Sequence, residues 1–514
     1  MSVSLDTALK LVGVVLYLGV LLVIGAVASR RMKDMRDYFA GGKDLGFLGI
    51  AFSARATGES AWLLLGLTGM GALVGVKGFW VVFGEVLGVS LAWLLMARRF
   101  KRLTDRYDSI TIPDYLESRF RDHAQVLRRV AAIGLTIFVT IYVSAQIHAT
   151  GAAFEGFLGW NYYIGALVGF MVVLAYIMSG GFVAVVWSDV FQGLMMFMGL
   201  VALPLVGLAV AGGWGPVAAE LEHIDPALLS LSGEVGWSLG AVFSAIGLVT
   251  IGVGFLGSPQ IFVRFLALRS EAEINKGAAV AIVWTLLADS GAVVIGLVGR
   301  HLLTDRGDEV EAVLGTGAEN VLPALAESLL PVALIGLFIA IVLSAIMSTV
   351  DSLLVLAASA VVRDYHQKVK NPELRDEQLV PLSRRVTFAL AVVALIIAFC
   401  VAAVTGGQSV FWYVVFGWSG IAATFCPTII LSLFWRGFTR RGALVAMVTG
   451  FVAVPVFTFV VPKLGAFGEI IGEFSELPPS VVLSMLAGVL GSLGDEAGRE
   501  QVRATGPELD DAAR

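Results

Sequence analysis

Two hydroxyl residues stand side by side in a long apolar run: Ser348 and Thr349, within Ser344-Ala345-Ile346-Met347-Ser348-Thr349-Val350-Asp351-Ser352. Neutral oxygens of this kind suit a small hard cation held weakly enough to be released, such as sodium. Hydroxyls inside a membrane also commonly just hydrogen-bond across helices, so the pair needs oxygen partners elsewhere before it reads as an ion site. Asp351 follows three residues after Ser348, on nearly the same helical face, and Asp189 lies in Trp187-Ser188-Asp189 of another apolar segment. A carboxylate at membrane depth is a functional hypothesis by default. Asp289, Glu85 and His148 share that setting and read equally as structural pairs or as ligand contacts.

The second stretch with chemistry in it is residues 51–69. It is apolar enough to lie in a bilayer, yet Arg55, Thr57, Gly58, Glu59 and Ser60 interrupt its middle. An Arg at a helix centre costs about 2.5–3.5 kcal/mol on insertion scales, and Gly58 weakens a helix by about 1 kcal/mol relative to Ala. Such a patch is tolerated only where it faces protein or a wet cavity. Either Arg55 and Glu59, four residues apart, neutralise each other inside a bundle, or the patch is a solute or ion site.

These residues need membrane helices to position them. With 58% hydrophobic and 15% charged residues and a mean hydropathy of +0.87, the 514-residue chain reads as an all-α polytopic membrane protein. Thirteen spans are expected, at about 7–28, 44–75, 79–98, 125–157, 161–180, 183–212, 237–265, 273–301, 321–362, 385–404, 409–435, 440–461 and 478–494. The ninth is too long for one crossing; an outer-loop helix after Pro323 and a span from about Pro331 are expected. The first is read as an uncleaved span, because it is long and is followed by Arg30, Arg31, Lys33 and Arg36 with no basic stretch before it.

Lys and Arg set the orientation. Loops assigned to the cytoplasm hold most of them, including Arg98, Arg99, Lys101, Arg102, Arg106, Arg128, Arg129, Arg264, Arg269, Arg363, Arg384, Arg436 and Arg440. The outer loops hold little beyond Lys77, Arg300, Arg306 and Lys463. The N-terminus is therefore expected outside, the C-terminus in the cytoplasm, and the charged tail from Asp495 disordered. Cys400 and Cys426 both lie in apolar segments and offer neither a disulfide framework nor a metal cluster.

Five spans after the interrupted segment comes a second one, with Gly252, Gly254, Gly257, Ser258, Pro259 and Gln260 in its middle. Two broken segments at matching positions of two five-span halves point to an inverted-repeat transporter. Gly252-Val253-Gly254-Phe255-Leu256-Gly257 matches GxGxxG, but it lies inside a span with no strand before it, so it is no dinucleotide fingerprint.

Several motifs then carry a resemblance. The run from Ser53-Ala54 through Ser60-Ala61-Trp62-Leu63-Leu64 to Gly66-Leu67 resembles the first core helix of the solute:sodium symporter family, nearest the bacterial sodium/proline branch. So do Thr111-Ile112-Pro113-Asp114-Tyr115 with Arg119-Phe120, Ser179-Gly180-Gly181-Phe182 with Trp187-Ser188-Asp189, Gly257-Ser258-Pro259-Gln260 with Arg264-Phe265, and Ala345-Ile346-Met347-Ser348-Thr349.

The resemblance implies a leucine-transporter-type 5+5 inverted-repeat core within about 13 helices. It divides the chain into an extra span and loop (1–43), a first repeat (44–212), a second repeat (237–435), two C-terminal spans (436–494) and a cytoplasmic tail (495–514). It implies sodium-coupled symport of a small organic solute by alternating access in the cell's inner (plasma) membrane. Carried over by position, a sodium site uses the backbone carbonyls of Ala56, Glu59 and Ala345 and the hydroxyls of Ser348 and Thr349. A further cation site falls on Asp189, Asp351 and Ser352, and a solute shell on Ser60, Trp62, Tyr142, Gln146, Phe255, Ser258 and Pro259.

The chain departs from sodium/proline symporters where Gly58 replaces an Asp, Ile251 a Trp and Phe255 a Tyr, and where Arg55 is added. Arg55 either holds a solute carboxylate or pairs with Glu59 or Glu85. The expected partners are an amino acid or carboxylate, proline by default, and membrane lipid, with no nucleic acid. Proton coupling is the near alternative, and a solute-gated channel or sensor the more distant one. An enzyme is not expected, because the five histidines are scattered and no HExxH occurs.

Overall fold

The computed structural model describes residues 5–29, 41–177, 181–234, 236–375, 378–405, 409–465, 468, 471–503 and 505–513. The basic cluster Arg30, Arg31, Lys33 and Arg36 and the Ser179-Gly180 part of one motif lie outside them. Among the described residues every regular element is a helix, and each of the thirteen expected spans coincides with a helix or a broken pair. Among the described residues, ten helices are individually long and apolar enough to cross a membrane, one of them running on from Trp62 to Arg106. The over-long ninth segment divides as its prolines require: Val321–Leu329 is one helix and Val332–Ser359 another, which Pro331 precedes.

Val332–Ser359 is the central post. It packs against Leu5–Ser29, Phe47–Gly58, Val126–Leu158 and Phe182–Val210, and 78% of its most apolar window is buried, against 22% for the peripheral Leu379–Thr405. Leu5–Ser29 is fastened to it through Tyr17, whose hydroxyl donates to Met347 Sδ (3.6 Å) and accepts from Gln192 Nε2 (2.8 Å).

Both expected breaks are present, and the surrounding helices take up the backbone groups they free. The first helix half, Phe47–Gly58, stops at Glu59 (φ −97°, ψ 50°), and helical backbone resumes just beyond Ser60. An unbroken helix would pair the Ala61 N–H with the Thr57 carbonyl; here that N–H donates to Gln146 Oε1 (3.1 Å). The Trp62 indole donates to the Gly58 carbonyl (3.1 Å). The second pair runs from Leu239–Thr250 through a tight turn at Ile251–Leu256 to Pro259–Ala267, with Pro259 in the first helical position. The indole of Trp418 caps the Ile251 carbonyl (2.9 Å) and the Cys426 thiol the Gly254 carbonyl (3.4 Å). Gly252 is required by close packing, since a Cβ there would fall 1.9 Å from the Gly84 carbonyl oxygen on Phe79–Leu91. The formal GxGxxG is a packing seam.

On the face assigned to the cytoplasm, Arg128 joins Asp114 (2.8 Å), Glu117 and Asp364, and Arg363 also reaches Asp114 (3.2 Å). Asp114 lies on Ile112–Phe120, a loop helix started by the Thr111 side chain. Burial pushes its carboxyl up, but Arg363 and Arg128 prevail and hold it down at about 2.

The tail is a correction. From Asp495 the chain was expected to be disordered, but it forms two helices, Glu496–Arg503 and Gly506–Ala513. Its acidic residues find the basic loop residues: Arg121 pairs with Glu508 (2.8 Å), Arg106 with Asp511 (3.3 Å) and Arg436 with Asp510, while Leu509 and Ala512 are buried. A reading of composition had no way to count those partners.

Candidate functional site

The two adjacent hydroxyls find oxygen partners at the end of the first helix half. Ser348 Oγ donates to the carbonyls of Ala56 (2.9 Å) and Ala345 (3.1 Å), and Thr349 Oγ1 to that of Thr57 (3.1 Å). The Ala56 and Thr57 carbonyls are available because the first helix breaks: the intrahelical partner of Thr57 is diverted to Gln146, and Ser60 no longer continues the spiral beneath Ala56. The C-terminal end of a helix is also the negative end of its dipole. The result is a fully buried set of neutral oxygens at a negative helix terminus, suited to one hard monovalent cation. Of the five residues expected there, Ala56, Ala345, Ser348 and Thr349 are brought together. Glu59 sits at the break and sends its side chain to Arg55. The Thr57 carbonyl lies beside this group, held by Thr349, a position the sequence did not single out for it.

Around Asp189 the chain supplies a cation of its own. The guanidinium of Arg264 donates to Asp189 Oδ2 (3.1 Å), Ser53 Oγ (2.9 Å), Ser352 Oγ (2.6 Å) and Thr57 Oγ1. Ser53 Oγ also donates to Asp189 (2.6 Å). Asp351 is buried on the same helix as Ser352, within Coulombic reach of Arg264. Arg264 had been counted among the cytoplasmic loop cations; instead it is 1% exposed, inside the protein. In this conformation a guanidinium fills the space between Asp189 and Ser352 that the second-cation expectation left for an ion. A cleft bounded by Thr111, Leu135, Phe182, Val263, Val355 and Asp364 leads to Ser352.

The expected solute shell gathers between the two breaks. Ser60 Oγ lies 3.3 Å from the Tyr142 hydroxyl, Gln146 holds the start of the second helix half, and Trp62 meets Phe411 edge-on at 6.2 Å. Phe255 and Tyr142 both pack against Trp418, with ring centroids 5.1 and 6.5 Å away. Ser258 Oγ lies 4.0 Å from Cys426 Sγ, and Pro259 opens the next helix. All of these residues are buried. Trp418 and Cys426 were missed; an indole and a thiol in an apolar segment carry no signal that they cap a break in another helix.

Arg55 adopts the structural alternative. It pairs with Glu59 and lies 3.5 Å from Glu85, with its guanidinium 4.7 Å over the ring of Phe255 and 5.5 Å over that of Trp284. It therefore lines the pocket rather than standing free to clamp a solute carboxylate. His148 is paired too, its Nδ1 2.7 Å from the Tyr162 hydroxyl.

Comparisons with known proteins agree with this architecture. Residues 38–450 match the model of the sodium:solute symporter family. The chain is 35% identical over 438 residues to the high-affinity proline transporter of Bacillus subtilis (strain 168), covering 85% of this chain and 89% of that one. It is 31% identical over 443 residues to the sodium/proline symporter of Escherichia coli (strain K12), covering 86% of each. In fold it is similar to a Na+-coupled sialic acid symporter solved in a substrate-bound outward-open state (TM-score 0.75, 17% identity, 94% of this chain and 97% of that one). It is also similar to a nucleobase-cation-symport-1 family transporter in a closed conformation (TM-score 0.54, 14% identity, 93% and 97%). The fold is thus the leucine-transporter type with its two inverted repeats, and the chain belongs to the sodium:solute symporter family.

Proposed function

We propose that the chain carries a small amino acid or related carboxylate, proline being the first to test, into the cell together with sodium. Membership of the family makes it a sodium-coupled solute symporter working by alternating access, and not an enzyme. In the proposed orientation the N-terminus is outside and the tail is cytoplasmic, as the Lys and Arg distribution indicates.

One observation supports the ion site above all: the Ser348 and Thr349 hydroxyls meet the carbonyls of Ala56 and Thr57 where the first helix half ends. Sodium would be held by the Ala56 and Ala345 carbonyls and the two hydroxyls, with the Glu59 carbonyl as the further ligand. Such an ion ties Phe47–Gly58 to Val332–Ser359. When the half-helix tilts away the ligand set comes apart, so sodium favours one conformation by its difference in affinity for the two. A single cation crossing the membrane field supplies about 2.3 kcal/mol per 100 mV, enough for tens-fold accumulation before any sodium gradient is added.

The solute would lie between the breaks, among Ser60, Trp62, Tyr142, Gln146, Phe255, Ser258 and Pro259, with Trp418 as a wall. Its carboxylate would face the start of the second helix halves, the positive ends of their dipoles. Arg55 shapes this pocket through Phe255. At the Asp189, Asp351 and Ser352 group, the reading is that Arg264 serves as the resident cation.

The test is uptake of labelled proline into proteoliposomes with an inward sodium gradient, a pH gradient of equal size, or neither, with unlabelled amino acids, monocarboxylates and sugar acids as competitors. Uptake driven by sodium and blocked by one of these classes is expected. Uptake that follows the proton gradient alone, or current that flows without solute, would overturn the reading.

A further inference from the structure

The pocket rests on an unusual charge arrangement. Glu59 at the first break, Glu85 on Phe79–Leu91 and Asp289 on Ile274–Leu303 each offer a carboxylate oxygen such that all three oxygens lie within 4.8 Å of one another. All three residues are at most 1% exposed. Arg55 is the cation among them, bound to Glu59 and 3.5 Å from Glu85. Three carboxyl groups face one guanidinium at membrane depth, so Arg55 can neutralise only one of them and the other two need a cation or a proton.

Hydrogen bonds from the protein do not satisfy those that remain. Asp289 is wholly buried, and neither of its oxygens has a hydrogen-bond partner among the described residues; Glu85 Oε1 and Glu59 Oε2 have none either. Arg55 reaches Glu59 and one oxygen of Glu85 but leaves both oxygens of Asp289 without a donor, and oxygens within 4.8 Å of one another can be spanned by two cation–oxygen bonds of about 2.4 Å. Phe255 and Trp284 stack on the Arg55 guanidinium, at 4.7 and 5.5 Å.

We propose that Glu59, Glu85 and Asp289 form a second sodium site, separate from the hydroxyl site at Ser348 and Thr349 and from the Asp189 group that Arg264 fills. One ion would neutralise one carboxylate that Arg55 leaves. It lies beside Ser60, so ion and solute occupy adjoining parts of one pocket. The inference deepens the symporter reading, and equilibrium binding separates the two.

Purified protein is equilibrated with radioactive sodium, and bound ion is counted per chain. Two ions are expected for the unaltered protein, one for Ser348→Ala/Thr349→Ala, and none for that pair combined with Asp289→Asn. Asp289→Asn alone should retain one. The hydroxyl-pair variant decides without touching the acidic cluster. If it binds no sodium while the unaltered protein binds one, the cluster site is overturned and the symporter reading stands. If the unaltered protein binds none, the symporter reading falls and the cluster site with it. One ion that persists in the triple variant also overturns the assignment. Glu85→Gln in the hydroxyl-pair background gives a second route to the same loss, and sodium retained there at unchanged affinity counts against the site.

Discussion

Replacing Thr349 with Val removes one oxygen from the proposed sodium site while keeping the β-branched shape. The Thr349 hydroxyl is fully buried and lies 3.1 Å from the Thr57 carbonyl, whose ordinary helical partner has been diverted to Gln146. An interaction with a charged partner is worth about 1.5–3 kcal/mol. At about 1.4 kcal/mol per tenfold, sodium affinity should fall between about tenfold and about 150-fold. The Thr57 carbonyl also loses its donor, a cost of about 1–3 kcal/mol to the ion-free protein, so Thr349→Val should unfold at lower temperature without sodium. The assay is the sodium concentration giving half-maximal uptake of a saturating solute in proteoliposomes. Thr349→Ser keeps the oxygen and should stay within about threefold of the unaltered protein. If Thr349→Val transports normally with an unchanged sodium requirement, the hydroxyl is only a cross-helix hydrogen bond and the ion site lies elsewhere.

Arg264→Gln strips Asp189 of its cation inside the protein, and breaking a buried pair in this way costs about 3–5 kcal/mol; Arg264→Gln/Asp189→Asn should recover much of the lost thermal stability, and a double variant no more stable than the single one would show that the pair is not what Arg264 provides. Asp114 is held at about 2 in the folded protein, below an unfolded value of about 3.9, so its contribution of about 2–3 kcal/mol is complete above the unfolded value and is lost as pH falls towards 2. The stability gap between the unaltered protein and Asp114→Asn, measured above the range in which the neighbouring Asp364 titrates (pushed up to about 6, first by burial) and again at low pH, should be smaller below about pH 4; a gap equally large at pH 3 would contradict this. The docked tail rests largely on exposed ion pairs, each worth about 0–1 kcal/mol and screened by salt. Proteolytic cleavage between the last two helices should thus speed up between low and high salt, and a salt-independent rate would mean that the apolar contacts of Leu509 and Ala512 hold it.

What could be read from the sequence depended on how local each cause was. The spans and the first break are local, because apolar runs of bilayer length and a Gly58-Glu59-Ser60 interruption declare themselves within a few residues. Ser348 and Thr349 were conspicuous for the same reason. Arg264 was not. It lies near the end of an apolar run, where a loop cation and a buried one look alike, and only the fold shows that Ser53, Asp189 and Ser352 wait for it. Gln146 and Trp418 show the same difficulty, since each bonds a backbone group at a break in a different helix, and the Cys426 thiol adds to a Gly254 carbonyl that already accepts from Ser258.

That last pattern bears on mechanism. A broken helix in a membrane must have its freed N–H and C=O groups satisfied by protein, and here the satisfying groups belong to other helices. Gln146 on Val126–Leu158 takes the Ala61 N–H, Thr349 on Val332–Ser359 takes the Thr57 carbonyl, and Trp418 and Cys426 on Val410–Phe434 take those of Ile251 and Gly254. Moving either broken pair relative to its neighbours therefore breaks hydrogen bonds that nothing apolar can replace. An ion or a solute that supplies substitute partners lowers the cost of that motion, and one that does not leaves the chain where it is. Coupling in this protein is then a matter of which backbone groups are satisfied in each state, and the residues that satisfy them should govern coupling even where they never touch the solute.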